Sequence, residues 1–380
     1  MHPLSNRIDF SDEQAMLLET ASGFCREKSP IAAVRRQLGT ESGFDRAVWD
    51  EMVALGWSGI AIPESLGGSG LSLAEVATIA EPMGRHLLAT PFTSTQVCIQ
   101  GLLAGGNAAQ QAAWLPRLAQ GAIGTVALFE QDGDWTLETP ACRAIRAGSE
   151  LRLSGAKTLV CDSAVAEVLL VSVELDGAPA LAIVAGAAFG DARRHPETVI
   201  DETRRSARLT LDGIGIPDTD LITGAAALAA LAAIRSAALL LASAEACGGI
   251  AGVLAVVVDY LNLRTTFGRK IGSYQSLKHA CAEILVGLER ARSHLYHAAS
   301  LIAAGEDAEI ALRMGKVEAG DTFAFAGDRA VQFHGGFGFT WECDAQLYLR
   351  RALWLQYHFG DAAHHRKRLA ERLLPTLQTA

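Results

Sequence analysis

Two glycine-containing polar stretches in the last third of the chain hold the residues best suited to bind a ligand. They span residues 264–275 and 332–342. The arginine that opens the first stretch offers a planar, permanent cation for a phosphate oxygen. The glutamines carry amides that donate and accept hydrogen bonds, and the glycines let the backbone approach a bulky group. Together they predict a cradle for a cofactor that carries a diphosphate. The residues concerned are Arg264, Gln275, Gln332, Gly335, Gly336 and Gly338.

Charge and cysteine content argue against several classes of protein. The chain has 380 residues, a formal net charge of −9 and seven cysteines. A negative net charge argues against a general affinity for nucleic acid or for an anionic membrane. The cysteines are scattered and form no CxxC pair, so we expect reduced thiols in a cytoplasmic protein and no metal site. The N-terminal residues do not show the basic-then-apolar pattern of a secretory signal.

The elements that must position the polar stretches change in type along the chain. Helical periodicity runs from about residue 10 to 120, and Ser11 is the predicted cap of the first helix. Short apolar strands separated by Gly, Asp and Pro follow, and helical periodicity returns at Ala225. This order predicts a mainly α protein with a central β domain. The predicted domains are an N-terminal helical domain (1–122), a small β-sheet or barrel domain (123–223) and a C-terminal helical domain (224–380).

One apolar segment, residues 225–258, needs a separate interpretation. Arg235 and Glu245 divide it into apolar runs shorter than the roughly 20 residues that a bilayer span requires. It is therefore predicted to be a buried helix of a bundle, and no membrane association is expected. Gly248 and Gly249 would let neighbouring helices pack closely against it.

The pattern as a whole resembles the acyl-CoA dehydrogenase family of flavoproteins. The resemblance covers nearly the whole chain, and the motifs nearer the C-terminus are the more specific ones. These motifs are Pro63–Gly70, Ser154–Lys157, Tyr260 with Arg264, Phe267–Gly268, Gln275, Gln332–Phe339 and Tyr348–Ala352. The resemblance implies a C-terminal four-helix bundle, FAD as the cofactor, and α,β-dehydrogenation of an acyl-CoA thioester.

The resemblance also assigns roles to the two polar stretches. The cofactor-binding residues that it implies are Arg264, Phe267, Gln275, Gln332, Gly335 and Gly336. The first three would meet the pyrophosphate and adenosine of FAD, and the last three would line its adenine side. In the family these groups reach a flavin that a neighbouring subunit mainly holds. The resemblance thus implies a homo- or hetero-oligomer (dimer or tetramer) with shared FAD sites, an acyl-CoA substrate and a flavoprotein electron acceptor.

The proton acceptor that this reaction needs is missing from its usual place. The family uses a carboxylate, usually a Glu just before a Gly-Thr near the C-terminus. That position here is Phe359, followed by Gly360. A second family position, on the helix before the Arg-x-x-Phe-Gly motif, corresponds to Ala238. Glu245 lies two turns farther along the same helix face and is the candidate base. Its competing interpretation is a hydrogen-bonded carboxylate of the core.

Other polar groups near these motifs have structural interpretations. Asp361 is predicted to cap the following helix. His364 and His365 begin the sequence His-His-Arg-Lys-Arg, which predicts a solvated cationic helix face and not a metal site. Arg264 and Arg269 have an alternative role as caps at the C-terminal end of a helix.

The central region departs from the family as well. The family's flavin-contact segment Thr-Glu-Pro-x-x-Gly-Ser-Asp is replaced by Phe129–Asp134, and a Trp-x-Thr that flanks the isoalloxazine is replaced by Leu159–Cys161. Groups around the flavin ring are thus partly absent, whereas those toward the adenosine are kept. This asymmetry resembles the base-lacking subunit of the heteromeric acyl-CoA dehydrogenases of steroid-type degradation.

Two other functions stay open on the sequence alone. A flavin-dependent monooxygenase on the same fold needs no base for an α-proton, and a non-catalytic partner subunit would need only the scaffold. The leading prediction is an FAD-dependent acyl-CoA dehydrogenase of fatty acid or steroid side-chain degradation. The sequence does not indicate which acyl chain it takes.

Overall fold

The computed structural model describes residues 11–148 and 150–377. The chain groups into two compact units. The first contains the described residues of Met1–Val34, Ser72–Leu88 and Leu239–Ala380, and the second contains Arg35–Leu71 and Ala89–Ala238. The division into three consecutive domains that the sequence suggests stays a prediction.

Helices dominate both ends of the chain, as predicted. In the described ranges they are α1 (Asp12–Lys28), α2 (Ile31–Gln37), α3 (Arg46–Ala54), α4 (Leu73–Arg85), α5 (Phe92–Gly105), α6 (Ala108–Ala119), α7 (Gly224–Leu263), α8 (Gln275–Ala303), α9 (Glu309–His334), α10 (Ala345–Tyr357) and α11 (Ala362–Leu377). Ser11 caps α1, because its hydroxyl accepts the N–H of Gln14 at 3.1 Å. The mainly α fold with a central β region is confirmed.

The central region between α6 and α7 consists of short strands. They are β1 (Gly124–Ala127), β2 (Arg143–Ala147), β3 (Glu150–Ser154), β4 (Ala156–Cys161), β5 (Val168–Leu175), β6 (Ala178–Ala185), β7 (Arg194–Glu197), β8 (Ser206–Thr210), β9 (Gly215–Pro217) and β10 (Leu221–Ile222). One sheet has the order β10-β6-β5-β2-β3-β9, with β1 added parallel to β5, and the other has the order β4-β8-β7. Strand β5 and the middle of β6 are buried, so their apolar runs form the core of this region.

Glycines bring α4 and α7 into backbone contact. A Cβ on Gly248 would lie 1.7 Å from the Glu81 carbonyl oxygen, and one on Gly84 would lie 1.9 Å from the Glu245 carbonyl oxygen. Any larger residue at either position would force the helices apart. The predicted close packing around Gly248 is therefore confirmed.

Helix α7 has the length and composition of a membrane span but the burial of a core helix. It is 40 residues long, and its most apolar window passes a test for bilayer spans based on length and hydropathy alone. More than half of that window, 56%, is buried inside the protein. Burial of this extent is what a central helix of a bundle shows.

The C-terminal helices pack around α9, which contacts α8, α10 and α11. A buried polar cluster joins α4 to α8. The carboxylate of Glu81 accepts two hydrogen bonds from Arg292, at 2.7 and 2.9 Å, and one from the Tyr296 hydroxyl at 2.5 Å. Because every charge in this cluster has a partner, burial of Glu81 is tolerated.

Candidate cofactor site

The first polar stretch forms a tight hairpin directly after α7. Its short strands, β11 (Thr265–Thr266) and β12 (Arg269–Lys270), pair antiparallel. Between them Phe267 has φ 53° and Gly268 has φ 78°. Two successive positive φ values are the signature of a two-residue type I′ turn. The turn leaves the Phe267 side chain 91% exposed.

The basic residues of this hairpin have separate roles. Lys270 caps α7, because its ammonium donates to the Leu263 carbonyl at 2.8 Å. The guanidinium of Arg269 lies 3.9 Å from the centroid of the Tyr274 ring. Lys270 thus makes the hydrogen bond that caps α7, and the ligand role of the exposed Arg264 stays a prediction.

The second polar stretch begins where α9 ends. Gly335 follows the helix with φ 62°, a conformation that favours glycine. A Cβ on Gly335 or Gly336 would meet nothing within 4 Å, so the backbone is open to an incoming group. Gly338 differs, because a Cβ there would lie 2.2 Å from the Val331 carbonyl oxygen. Gly338 is thus needed for packing.

A ring stack joins the two stretches. The rings of Tyr260 and His334 are stacked with centroids 4.1 Å apart. Tyr260 lies one helical turn before Arg264, and His334 lies two residues after Gln332. His334 is buried and its Nδ1–H donates to the Ala330 carbonyl at 2.7 Å. His334 therefore packs between the two stretches and does not present its ring to a ligand.

The predicted cofactor residues share one property, which is exposure. All six lie on the surface of the chain: Arg264, Phe267, Gln275, Gln332, Gly335 and Gly336. An exposed guanidinium, two amides and open glycine backbone fit the phosphate and adenine groups of FAD. This exposure differs from a typical cofactor cleft, which buries most of its ligand. Their roles stay predictions.

Phe359, at the predicted position of the base, sits in a strained turn between α10 and α11. Its backbone has φ 61° and that of Gly360 has φ 107°. Positive φ is unusual for an aromatic residue and indicates that the surroundings enforce it. The phenyl ring is 6% exposed and meets the His358 ring edge-on at 4.7 Å. No proton acceptor is therefore supplied by this side chain.

Lys316 on α9 stabilises this turn and the end of α10 that precedes it. Its buried ammonium donates to the carbonyls of Leu355, Gln356 and Gly360, at 2.8, 3.0 and 2.9 Å. Burial lowers the pKa of Lys316 to about 7. No sequence motif marks this lysine as a site residue. Its signal is a lysine in register with the buried face of α9 at Leu312 and Phe323.

The expectation that His364 and His365 form a solvated face is wrong for His365. Its ring is 1% exposed, and Nδ1 lies 3.0 Å from Nη1 of Arg313, which in turn pairs with Glu309. Burial, helped by the charges of Lys316 and Arg313, lowers the pKa of His365 to about 3. The basic sequence around it misleads because one helix face of α11 packs on α9 while the others meet solvent.

The two carboxylates considered as substitutes for the base differ in setting. Asp361 accepts the N–H of His364 at 2.8 Å and so caps α11, as predicted. Glu245 lies on α7 and is 1% exposed. Its role as a base stays a prediction.

A buried ion pair supports the segment that replaces the family's flavin-contact motif. The ammonium of Lys157 on β4 donates to Glu130 at 2.5 Å and to the Ser172 hydroxyl at 2.8 Å. Glu130 also accepts the N–H groups of Ala141 and Cys142. Burial raises the pKa of Glu130, but the hydrogen bonds from Lys157 and Cys142 outweigh it and lower that pKa overall. Glu130 is thus a structural anion.

The residues at the predicted ring-flanking position offer little to a flavin. Leu159 is 38% exposed and has φ 53°. Cys161 supplies a thiol, a weaker hydrogen-bond donor than a hydroxyl, and its Sγ lies 3.9 Å from the Leu159 carbonyl oxygen. The fit to the ring end of FAD is therefore poor, in contrast to the fit to its nucleotide end.

Comparison with protein families gives two matches that together span both helical ends. Residues 11–122 match the family described as "Acyl-CoA dehydrogenase, N-terminal domain", and residues 228–374 match "Acyl-CoA dehydrogenase, C-terminal domain". Among characterised proteins, acyl-CoA dehydrogenase IpdE2 of Mycobacterium tuberculosis is 30% identical over 343 residues. That match covers 90% of this chain and 91% of the relative.

Solved structures share the fold over nearly the whole length. The Tcur3481-Tcur3483 steroid ACAD, solved as a variant, is 26% identical with a TM-score of 0.86 and covers 97% of this chain and 100% of its own. The ChsE4-ChsE5 complex of Mycobacterium tuberculosis is 23% identical with a TM-score of 0.87, covering 97% and 99%. At that identity the second likeness is one of fold.

Proposed function

Because this chain belongs to the acyl-CoA dehydrogenase family, we propose that it is the base-lacking subunit of a heteromeric enzyme that oxidises an acyl-CoA between its α and β carbons. FAD is the cofactor of the family, and when bound it accepts the hydride that leaves the β carbon. The α-proton needs a carboxylate of suitable pKa at hydrogen-bonding distance. That carboxylate comes, in this proposal, from a second, related chain.

The observation that carries the proposal is Phe359. The phenyl ring stands where the resemblance places the proton acceptor. Lys316 supports the turn that bears it, through hydrogen bonds to the Leu355 and Gln356 carbonyls near the end of α10 and to the Gly360 carbonyl in the turn. The turn therefore has a supported backbone but no proton acceptor at this position. A positive φ at an aromatic residue costs free energy, so its presence here indicates that the surrounding contacts enforce this turn.

The exposure of the nucleotide-binding residues supports a shared cofactor. Phe267 at the hairpin tip and Arg264 beside it lie on the surface, where a neighbouring chain can bring the rest of a flavin site. An aromatic side chain that is 91% exposed is costly in a free monomer and typical of an interface anchor.

The relatives support a two-chain assembly and a steroid-like substrate. The Tcur3481-Tcur3483 protein, 26% identical to this chain, is named as a pair of chains and as a steroid ACAD. We extend both features to this chain, with an electron-transferring flavoprotein as the electron acceptor. Glu245 is the alternative candidate for the base.

Co-expression tests the proposal. The chain is purified alone and together with a dehydrogenase-like chain that carries the missing Glu, and the FAD content and acyl-CoA oxidation of both samples are measured. We expect little FAD and no turnover from the chain alone, and yellow, active protein from the pair. Stoichiometric FAD with robust turnover in the lone chain would rule out the heteromer.

A further inference from the structure

Strand β4 contains an irregularity that presents hydrogen-bond donors to one point. Its pairing with β8 shifts register between Lys157 and Val160, and Leu159 within the shift has φ 53°. Such a bulge removes a backbone N–H from the ladder and re-aims the neighbouring side chains. The N–H of Leu159 must then find another acceptor, since an unpaired backbone donor is costly.

That acceptor is the carboxylate of Glu197, the last residue of β7. One of its oxygens accepts the hydroxyl of Thr158. The other accepts the Leu159 N–H at 2.9 Å and the Ser206 hydroxyl at 3.1 Å. Both oxygens are engaged, and all three donors are neutral groups. The bulge therefore forms an acceptor-binding site that the chain fills with its own side chain.

We propose that the Glu197 carboxylate occupies the hydrogen-bond donors of this chain that would otherwise contact the flavin ring. The chain then contacts only the nucleotide end of a shared FAD. The inference rests on the proposed function, because it takes Leu159–Cys161 as the segment that would flank the ring. An isoalloxazine offers ring nitrogens and carbonyl oxygens, which are the kind of acceptor that the three donors would hold. It can reach them only by displacing a carboxylate that satisfies all three at once.

The neighbouring surface adds a second obstacle. A cavity of about 670 Å³ opens beside Thr158, and its lining includes the carboxylates Glu130, Asp132 and Asp212 together with the guanidinium of Arg208. Glu197 adds a further negative charge next to this lining. Fixed negative charge disfavours a ligand that becomes anionic, as a flavin does on reduction.

Titration of the full-length chain with riboflavin tests the closure directly, because riboflavin carries the ring without the nucleotide. Riboflavin fluorescence quenching is measured for the wild type, Glu197→Ala and the control Glu167→Ala, which removes a surface carboxylate paired with Arg117. We expect Glu197→Ala to bind at least about tenfold more tightly than the wild type, and the control to match the wild type. A folded Glu197→Ala protein with wild-type affinity would overturn the inference, and so would tight binding by the wild type.

Hydrogen exchange provides a test that needs no substitution. Exchange of the backbone amides of residues 157–161 is compared in the assembled complex with FAD bound and after FAD has been stripped. We expect no difference at Leu159, because Glu197 already protects its N–H. Protection that appears with FAD would contradict the closure. A complex that never holds FAD would instead count against the proposed function. The riboflavin titration would still test the role of Glu197.

Discussion

At the scale of single residues, the region around Phe359 separates chemistry from architecture. The phenyl side chain cannot accept a proton, yet two buried cations lie near the turn that bears it. Lys316 and Arg313 are both nearly fully buried, and each has hydrogen-bond partners. Buried cations are retained only where their partners offset the cost of desolvation. The buried cations thus stabilise the backbone conformation of the turn.

Substitution of Glu245 distinguishes a relocated base from a core carboxylate. In the two-chain enzyme we expect Glu245→Gln to lower kcat by less than about tenfold, because the proton acceptor belongs to the partner. Loss of a general base would lower it by about 10²–10⁴-fold. The measurement is the rate of flavin bleaching by acyl-CoA in stopped flow, with thermal melting as the check that the buried amide is tolerated. A loss of the larger size would identify Glu245 as the base.

His365 should make the protein sensitive to acid. Its pKa is about 3 in the folded state, against an ordinary value of 6.5. Between these values the unfolded chain binds a proton that the folded chain refuses, so stability falls as the pH drops from about 6.5 toward 3. His365→Gln stays neutral throughout and should flatten this slope. Denaturant midpoints at several pH values measure it, with the exposed His279→Gln as the control. An unchanged slope would contradict the assignment.

At the scale of elements, the backbone contact between α4 and α7 sets the position of the hairpin that follows α7. A Cβ on Gly248 would lie 1.7 Å from a carbonyl oxygen and 2.7 Å from the Arg85 amide nitrogen, both of them main-chain atoms of α4 that cannot yield like a side chain. We expect Gly248→Ala to destabilise the fold by about 1–3 kcal/mol or more. The matched control is Gly23→Ala on α1, where a Cβ meets nothing within 4 Å. There the change should be neutral or stabilising by up to about 1 kcal/mol. Equal melting temperatures for the two variants would contradict the contact.

Periodicity and glycine placement were enough to predict the order of the elements. The 3.6-residue and two-residue patterns indicate directly which faces are buried, so the sequence predicts the helical ends and the central strands. The run of glycines in α7 likewise predicted a close helix neighbour. The burial of His365 could not be predicted, because the sequence around it is basic and only the packing of α11 on α9 buries it. The bulge at Leu159 could not be predicted either, because leucine has no preference for a backbone φ of 53°.

The candidate site was only partly predictable for the same reason. Arg264 and Gln332 could be named from residue type and motif, and the structure brings their stretches together through Tyr260 and His334. The helical register of Lys316 indicates that it is buried, but neither its carbonyl partners nor the donors that bind Glu197 follow from a local pattern. Such contacts depend on tertiary packing, which overrides what residue type alone suggests.

At the scale of the whole molecule, the surface carries apolar side chains that a free monomer would be expected to bury. Phe267, Leu263 and Phe339 are 91%, 74% and 75% exposed, and all three belong to the two polar stretches or border them. Apolar exposure concentrated on the segments that would meet FAD indicates that cofactor binding and assembly use the same surface. Loss of one should therefore weaken the other.

Removal of Arg264 tests this coupling. The guanidinium is expected to bond an FAD phosphate, and a charge-assisted hydrogen bond contributes about 1.5–3 kcal/mol. We therefore expect Arg264→Ala to raise the Kd for FAD in the assembled complex by about 10–100-fold and to shift the complex toward its separate chains in analytical ultracentrifugation. Arg366→Ala is the control, since Arg366 pairs with Asp321 on the surface of the same unit. If Arg264→Ala and Gln332→Ala both left FAD retention at the wild-type level, these residues would not hold the nucleotide. The exposed hairpin would then serve assembly alone, and the flavin of the complex would belong wholly to the partner chain.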